Sequence, residues 1–180
     1  MFFCECGVIQ EVDKLGYFQV LGMPEKFDVD LESLSQNYKN LQRQLHPDKH
    51  SLKPKREQDL AEQQSSYVVN AYQTIMKPLS RAMYLLEING NPLEEENTSV
   101  DQDFLMQIME TNEEIIEADS SEDLRKIEEV NDQNIKECIQ NISQAFGTNN
   151  IDLAKSWTIK LKYFCNIDGK LREIKQISFD

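Results

Sequence analysis

The chain of 180 residues has few of the features that mark membrane, secreted or low-complexity proteins. No apolar run approaches the roughly 20 residues that a membrane-spanning helix needs, and the apolar start, Met1–Cys4, is too short for a signal peptide. Only 6 Gly and 5 Pro accompany a hydrophobic fraction of 39%. This composition argues against a low-complexity chain and favours a mostly helical globular protein. A targeting segment upstream of this sequence is compatible with these observations.

Cysteine and histidine are also scarce. Four cysteines do not form a disulfide framework in a chain of this length, so a reducing compartment fits better. We expect Cys138 and Cys165, which lie in helical patterns, to be small hydrophobic residues in or near the core. The two histidines, His46 and His50, lie in one polar segment with no Ser or Cys nucleophile paired to the His46-Pro47-Asp48 motif and no Gly-rich phosphate loop, so they do not predict an active site. With Asp48 they would make only a weak metal site, because the segment has no fixed geometry.

Negative charge is concentrated in the second half of the chain. Up to Gly90 there are 12 acidic and 10 basic residues, and after Gly90 there are 20 acidic and 9 basic residues. Within the first half, residues 37–81 hold 8 basic and 4 acidic residues. The net charge of −13 disfavours nucleic acid as a partner, because phosphate binding needs a concentrated cationic face. The acidic half suits a partner with a basic surface.

The first half of the chain predicts four helices. A short apolar segment at 17–21 allows a turn or two, and Asp30 is expected to cap a second helix. The apolar residues of that helix are spaced three and four apart: Leu31, Leu34, Tyr38, Leu41 and Leu45. Pro47 ends it, and residues 46–56 are expected to form a polar, basic loop. A third helix follows, and Pro78 opens a fourth, which ends at Asn89-Gly90.

The second half predicts three longer helices after a linker at 91–100. They cover about 102–118, 121–146 and 151–176. Short loops between long helices predict an antiparallel three-helix bundle. No strand alternation occurs anywhere, so the predicted fold is all-α with two domains.

The most distinctive motif is His46-Pro47-Asp48, placed where a helix carrying Lys39 and Arg43 enters the basic loop. Pro47 is explained by the end of the helix, and Asp48 by the turn that follows it. Neither role explains why an imidazole lies at the end of a basic helix face. The order of short helix, basic helix, HPD loop and apolar-faced helix resembles a J domain. The resemblance implies that these five residues bind a DnaK-type chaperone and stimulate its ATPase, without catalysis by this chain.

The second domain narrows the resemblance. Tyr17-Phe18, LQRQLHPDK at 41–49, PLSRAMYLLEING at 78–90 and DFLMQIMETNEEIIE at 103–117 resemble HscB-type proteins, called Jac in some organisms. These J proteins are dedicated to iron–sulfur cluster biogenesis, and the resemblance covers about residues 15–176. It implies an irregular segment at 1–14, a J domain at 15–90, a linker at 91–100 and a three-helix scaffold-binding domain at 101–180.

The segment 103–117 carries two methionines outside its expected core stripe. On a helical wheel, Met106 and Met109 lie well away from that stripe and among three glutamates. The pattern fits a solvated acidic face whose methionines pack on a neighbouring helix. It also fits a binding patch with an apolar centre and an acidic rim. The HscB resemblance implies the second, a surface for an IscU-type scaffold protein formed by Leu105, Met106, Met109, Glu110, Glu113, Glu117 and Tyr163.

The N-terminal cysteines give an incomplete metal motif. Eukaryotic HscB-type proteins carry two Cys-x-x-Cys pairs before the J domain, which resemble a zinc knuckle. Cys4-Glu5-Cys6 is one residue shorter than such a pair and offers two ligands where zinc needs four. We therefore predict no metal site and no cofactor in this chain; Cys4 and Cys6 would need an upstream pair to bind zinc. Bacterial HscB-type proteins lack this segment, so the resemblance implies the mitochondrial matrix, with the cytosol as the alternative.

Two other functions compete with this interpretation. A general J protein that delivers unfolded clients would normally carry a Gly/Phe-rich linker or a cysteine-rich domain, and the sequence has neither. An interaction protein with a degenerate J domain would not need the intact HPD motif. Binding to an IscU-type scaffold protein distinguishes the dedicated co-chaperone from both.

Overall fold

The computed structural model describes residues 15–93 and 101–177. Within them the chain forms eight α-helices and no strand, which confirms the all-α prediction. The helices are α1 (Tyr17–Val20), α2 (Leu31–Leu45), α3 (Pro47–His50), α4 (Lys55–Met76), α5 (Pro78–Ile88), α6 (Gln102–Glu117), α7 (Ser121–Gly147) and α8 (Ile151–Ile177). None of these described helices combines the length and the apolarity that crossing a membrane requires.

Helix α2 begins and ends where the sequence indicates. The Asp30 carboxylate accepts hydrogen bonds from the backbone N–H groups of Glu32 and Ser33, at 3.0 and 3.4 Å. These bonds satisfy two of the N–H groups that have no partner inside the helix. The helix ends at Leu45, two residues before Pro47, because the residue before a proline avoids the helical conformation.

Helices α2 and α4 pack antiparallel in the first compact unit. Tyr38 stacks on Tyr72 with ring centroids 4.1 Å apart, whereas Gln42, further along α2, donates to the Ser65 carbonyl at 3.1 Å. The fully buried apolar residues between them are Leu34, Leu45, Ala61, Val68, Ala71 and Ile75. Leu31, the first residue of α2, is 43% exposed, so the predicted apolar stripe is not covered along its whole length.

Helix α5 is divided between the two compact units. The first unit ends at Arg81, and the second begins at the next residue. The buried Arg81 guanidinium donates to the Ile75 carbonyl at 2.7 Å and so holds the start of α5 to α4. Leu86 instead packs with the core of the second unit, at the junction of α7 and α8. The division between the units therefore falls inside the segment 15–90, and residues 94–100 of the predicted linker lie outside the described residues.

The second unit contains the predicted antiparallel three-helix bundle. Asn131, near the middle of α7, donates to the Phe164 carbonyl of α8 at 3.1 Å. Glu128, one turn earlier, accepts from Lys175 near the end of α8 at 2.6 Å. Early residues of α7 thus face late residues of α8. Helix α6 contributes three buried apolar residues, Phe104, Ile108 and Ile115.

Both described cysteines lie in this bundle. Cys138 on α7 is buried and Cys165 on α8 is half-buried, which confirms the expected positions in or near the core. Burial raises the pKa of the Cys138 thiol to about 12 and also raises the pKa of Cys165. Both thiols therefore stay protonated at neutral pH. Cys4 and Cys6 lie outside the described residues, so the prediction about a metal site stays a prediction.

Candidate functional site

His46 joins α2 to α3 and caps the second of these helices. Its Nδ1 accepts a hydrogen bond from the backbone N–H of Asp48 at 3.3 Å. Pro47 occupies the first position of α3, where the missing N–H would have no partner inside the helix in any case. The prediction of a loop over residues 46–56 is therefore wrong at both ends, because Pro47–His50 forms one helical turn and α4 already begins at Lys55.

The carboxylate of Asp48 points into solvent beside the imidazole of His46. The side chain of Asp48 is 90% exposed, and one of its oxygens lies 3.5 Å from His46 Nδ1. Nδ1 accepts the Asp48 N–H only while it carries no proton, whereas it pairs with the carboxylate only when it is protonated. The two residues thus have a contact available in either protonation state, and both remain accessible to a partner.

His50, which the sequence analysis placed in the polar loop, is buried. Its Nε2 donates to the Gln44 carbonyl at 3.0 Å, and its Nδ1 has no hydrogen-bond partner among the described residues. In a continuous helix, Gln44 would accept from the N–H of Asp48, which here bonds to His46 instead. His50 therefore replaces a lost helix hydrogen bond and ties α3 to the end of α2. In the sequence, only Pro47, which starts the helical turn, indicates this role of His50.

Cationic side chains surround the HPD turn. Lys39 and Arg43 are both exposed and lie one turn apart on α2, so they share one side of that helix. Lys49, Lys53 and Arg56 follow the turn and are exposed as well. This arrangement creates a positive surface around the exposed Asp48 carboxylate, suited to a partner that is mostly acidic but offers one cation.

Helix α6 presents an apolar and acidic face to solvent. Met106 and Met109 are 62% and 64% exposed, and Leu105 beside them is half-buried. These values contradict the interpretation in which the methionines pack on a neighbouring helix of the bundle. The acidic residues of this face, Glu110, Glu113 and Glu117, are all exposed.

Tyr163 packs helix α8 against the first turn of α6. Its half-buried ring meets the Phe104 ring edge-on, with centroids 5.7 Å apart. Phe104 is buried in the bundle, so this contact of Tyr163 is with the core side of α6, at the residue before Leu105. Lys160, whose Nζ lies 5.3 Å from the centroid of the Phe104 ring, was not found from the sequence. This cation–π contact gives α6 and α8 a second connection at the same point.

The two halves of the chain match two known families. Residues 16–84 match the family described as DnaJ domain, and residues 100–172 match the family described as HSCB C-terminal oligomerisation domain. These ranges contain the HPD turn and the exposed face of α6, respectively.

Several known proteins are similar to this chain over most of its length. The human iron–sulfur cluster co-chaperone protein HscB is 37% identical over 95% of this chain and 74% of its own length. The Arabidopsis thaliana HscB homolog is 39% identical over 90% of this chain and 65% of its own length. The crystal structure of human HscB superimposes with a TM-score of 0.92 at 36% identity, covering 97% of this chain and 90% of the other. The chain therefore belongs to the HscB/Jac type of J-domain co-chaperones.

Proposed function

We propose that this protein binds an IscU-type iron–sulfur scaffold protein, delivers it to a DnaK-type chaperone and stimulates the ATPase of that chaperone, which promotes cluster transfer. The observation that carries the proposal is the exposed His46–Asp48 pair at the end of the basic helix α2. The human and plant relatives are named iron–sulfur cluster co-chaperones, which supports cluster assembly as the process.

The first binding site is the chaperone-docking surface, formed by Lys39, Arg43, His46, Pro47 and Asp48. The exposed cations Lys39 and Arg43 attract an acidic chaperone surface and orient the approach. Asp48 offers its carboxylate to an arginine of the chaperone, a pair that forms two parallel hydrogen bonds and is therefore selective. His46 holds the backbone of Asp48 in place, and Pro47 fixes the backbone angle between them.

This surface supplies binding energy, and ATP hydrolysis takes place in the site of the chaperone itself. None of its five residues is a nucleophile paired with a general base. A co-chaperone raises the rate of its partner by binding the active conformation more tightly than the others. We infer that the chain has no catalytic activity of its own and needs no cofactor for this role.

The second binding site is the scaffold-docking surface, formed by Leu105, Met106, Met109, Glu110, Glu113, Glu117 and Tyr163. An exposed apolar centre within an acidic rim is the usual composition of a protein interface. Methionine adapts its shape to an uneven partner surface, and the glutamates favour a partner with a basic patch. The exposure of Met106 and Met109 supports this assignment, since neither side chain is needed to fill the bundle.

The similarity to human and Arabidopsis proteins supports a mitochondrial matrix location and a mitochondrial DnaK-type chaperone as the partner. The cytosol is the alternative. The net charge of −13 supports protein partners over nucleic acid.

Isothermal titration with each partner tests the proposed function. We expect the chain to bind a purified IscU-type scaffold protein and, separately, an ATP-loaded DnaK-type chaperone. Asp48→Asn should weaken only chaperone binding, and Met109→Ala should weaken only scaffold binding. A general J protein would bind the chaperone but not the scaffold, and a degenerate J domain would not bind the chaperone, so either result would refute the proposal.

A further inference from the structure

The exposed apolar residues of α6 extend beyond the scaffold-docking surface that the sequence predicts. Ile116 is 82% exposed, more than Met106 or Met109. It lies ten residues after Met106, which is about 15 Å along the helix axis at 1.5 Å per residue. An isoleucine at this exposure contributes little packing to the bundle, and it is a poorer helix former than alanine or leucine.

Ile116 lies on the same side of α6 as the methionines. At about 100° per residue, it is within roughly 20° of Met109 around the helix, and Glu113 lies between the two along the axis. The neighbouring Ile115 is buried against the bundle, so the two isoleucines divide between core and surface. Along the helix axis, the surface therefore continues with apolar Met109, then acidic Glu113, then apolar Ile116.

The three glutamates of this surface are not equivalent in position. Glu113 has apolar side chains before and after it on the same side of the helix. Glu110 and Glu117 lie further round, at one edge of the surface. A partner that covers both apolar ends therefore removes more water from Glu113 than from the other two, which strengthens its pairing with a cation.

We propose that Ile116 is a further apolar anchor for the IscU-type scaffold protein, which covers α6 from Met106 to Ile116 with a lysine or arginine placed over Glu113. This inference rests on the proposed scaffold binding and extends it by a second apolar contact site. The charge of the surface argues for this occupant, because an exposed acidic helix selects a partner with a basic patch. The apolar residues on both sides also keep water away from the central ion pair, which strengthens it.

The test is isothermal titration of the full chain and its variants with purified IscU-type scaffold protein. Ile116→Ala and Ile116→Gln should raise Kd roughly fivefold to tenfold, the usual effect of losing an anchor, whereas Ile116→Leu should stay within about twofold because it keeps the apolar contact. Val130→Ala is the matched control, since Val130 is a 63% exposed aliphatic residue on α7, outside the surface. It should leave Kd unchanged, and all four variants should melt at the temperature of the parent.

The outcomes separate this inference from the proposed function. If Met109→Ala weakens binding while both Ile116→Ala and Ile116→Gln leave Kd within about twofold, scaffold binding stands and the role of Ile116 is refuted. Equal losses for Val130→Ala and Ile116→Ala would also refute it, because the effect would then not be specific to this surface. If the parent chain does not bind the scaffold at all, the proposed function fails, and this inference fails with it.

Discussion

His46 and Asp48 hold each other in place: the imidazole Nδ1 of His46 accepts the backbone N–H of Asp48 at 3.3 Å and caps the one-turn helix α3. The backbone of Asp48 is therefore held in place relative to the end of α2, and its carboxylate extends from there into solvent. Because both side chains are exposed, their mutual contacts serve the presentation of the HPD turn more than the stability of the fold. We expect changes at either residue to affect function far more than folding.

We predict that His46→Gln and Asp48→Asn each abolish stimulation of a DnaK-type ATPase. At Asp48, losing one partner of a charged pair at an interface costs about 2–5 kcal/mol of binding, which is roughly 30-fold or more in affinity. At His46, the change removes the hydrogen bond that holds the Asp48 backbone in place. The free energy of unfolding should change by no more than about 1 kcal/mol, since only a helix cap is affected. Steady-state ATPase assays and chemical denaturation measure the two effects.

Glu62→Gln serves as the control for Asp48→Asn, because it removes an exposed carboxylate from α4, outside the chaperone-docking surface. It should stimulate like the parent. Full stimulation by either HPD variant would contradict the assignment of this turn.

We predict that Lys39→Ala combined with Arg43→Ala weakens chaperone stimulation more at low salt than at high salt. Exposed charges act over about 10 Å at 0.1 M salt and over a shorter distance as salt rises. The measured quantity is the concentration for half-maximal stimulation at several salt concentrations. Lys136→Ala, an exposed lysine on α7, is the control and should match the parent at every salt. A loss that does not depend on salt would show that the basic side of α2 is not the docking surface.

We predict that Met106→Ala, Met109→Ala and Tyr163→Ala each weaken scaffold binding by about 1–3 kcal/mol. The methionine variants should keep the stability of the parent, because both side chains are mostly exposed. Tyr163→Ala should also destabilise the bundle, since its ring packs on Phe104. Titration with scaffold, paired with chemical denaturation of each variant, separates the effects. Affinity losses that only follow lost stability would mean that these residues belong to the core.

The glutamates of the scaffold-docking surface should matter less one at a time than together. Glu110 and Glu117 lie at the edge of the surface, where charges mainly steer and orient the partner, and Glu113 between the apolar residues should matter most of the three. Single changes of Glu110, Glu113 and Glu117 to glutamine should therefore weaken scaffold binding less than the triple change. None of them should alter basal stimulation of the chaperone without scaffold.

We predict that the buried thiol of Cys138 makes stability fall at alkaline pH. Burial raises its pKa from 9.0 to about 12 in the folded state. Its contribution to stability is therefore complete below pH 9 and is lost as the pH rises toward 12, because the unfolded thiol releases its proton first. Urea unfolding under reducing conditions, from pH 8 to pH 11, should show a larger loss in the parent than in Cys138→Ala, which keeps only the raised pKa of Cys165. A parent-to-variant difference that does not change with pH would contradict this account.

The long helices could be predicted from the sequence almost to the residue. Helix α6 was expected at 102–118 and covers 102–117, and α8 was expected at 151–176 and covers 151–177. Strong caps explain this agreement: Asp101 accepts from the N–H of Asp103 before α6, and the left-handed Asn149 allows the tight turn into α8. Between these ends, the apolar period over many turns is compatible only with a helix.

The one-turn helix α3 and the division of α5 between two units could not be predicted from the sequence. Helix α3 is one turn long, so no apolar period reveals it, and the burial of His50 depends on its contact with Gln44. The three–four spacing in α2 continues to Leu31 whether or not a neighbouring element covers that residue. The division of α5 after Arg81 is equally hidden, because its apolar stripe does not show which of two cores it joins.

The most direct test of the central claim is the steady-state ATPase rate of a DnaK-type chaperone with this protein and an IscU-type scaffold, added separately and together. We predict that the protein alone raises the rate and that the scaffold raises it further with the parent chain. With the Met106→Ala/Met109→Ala variant, basal stimulation should remain while the scaffold adds nothing. A chaperone rate that this protein does not change, or an equal scaffold effect with the parent and the variant, would contradict the account.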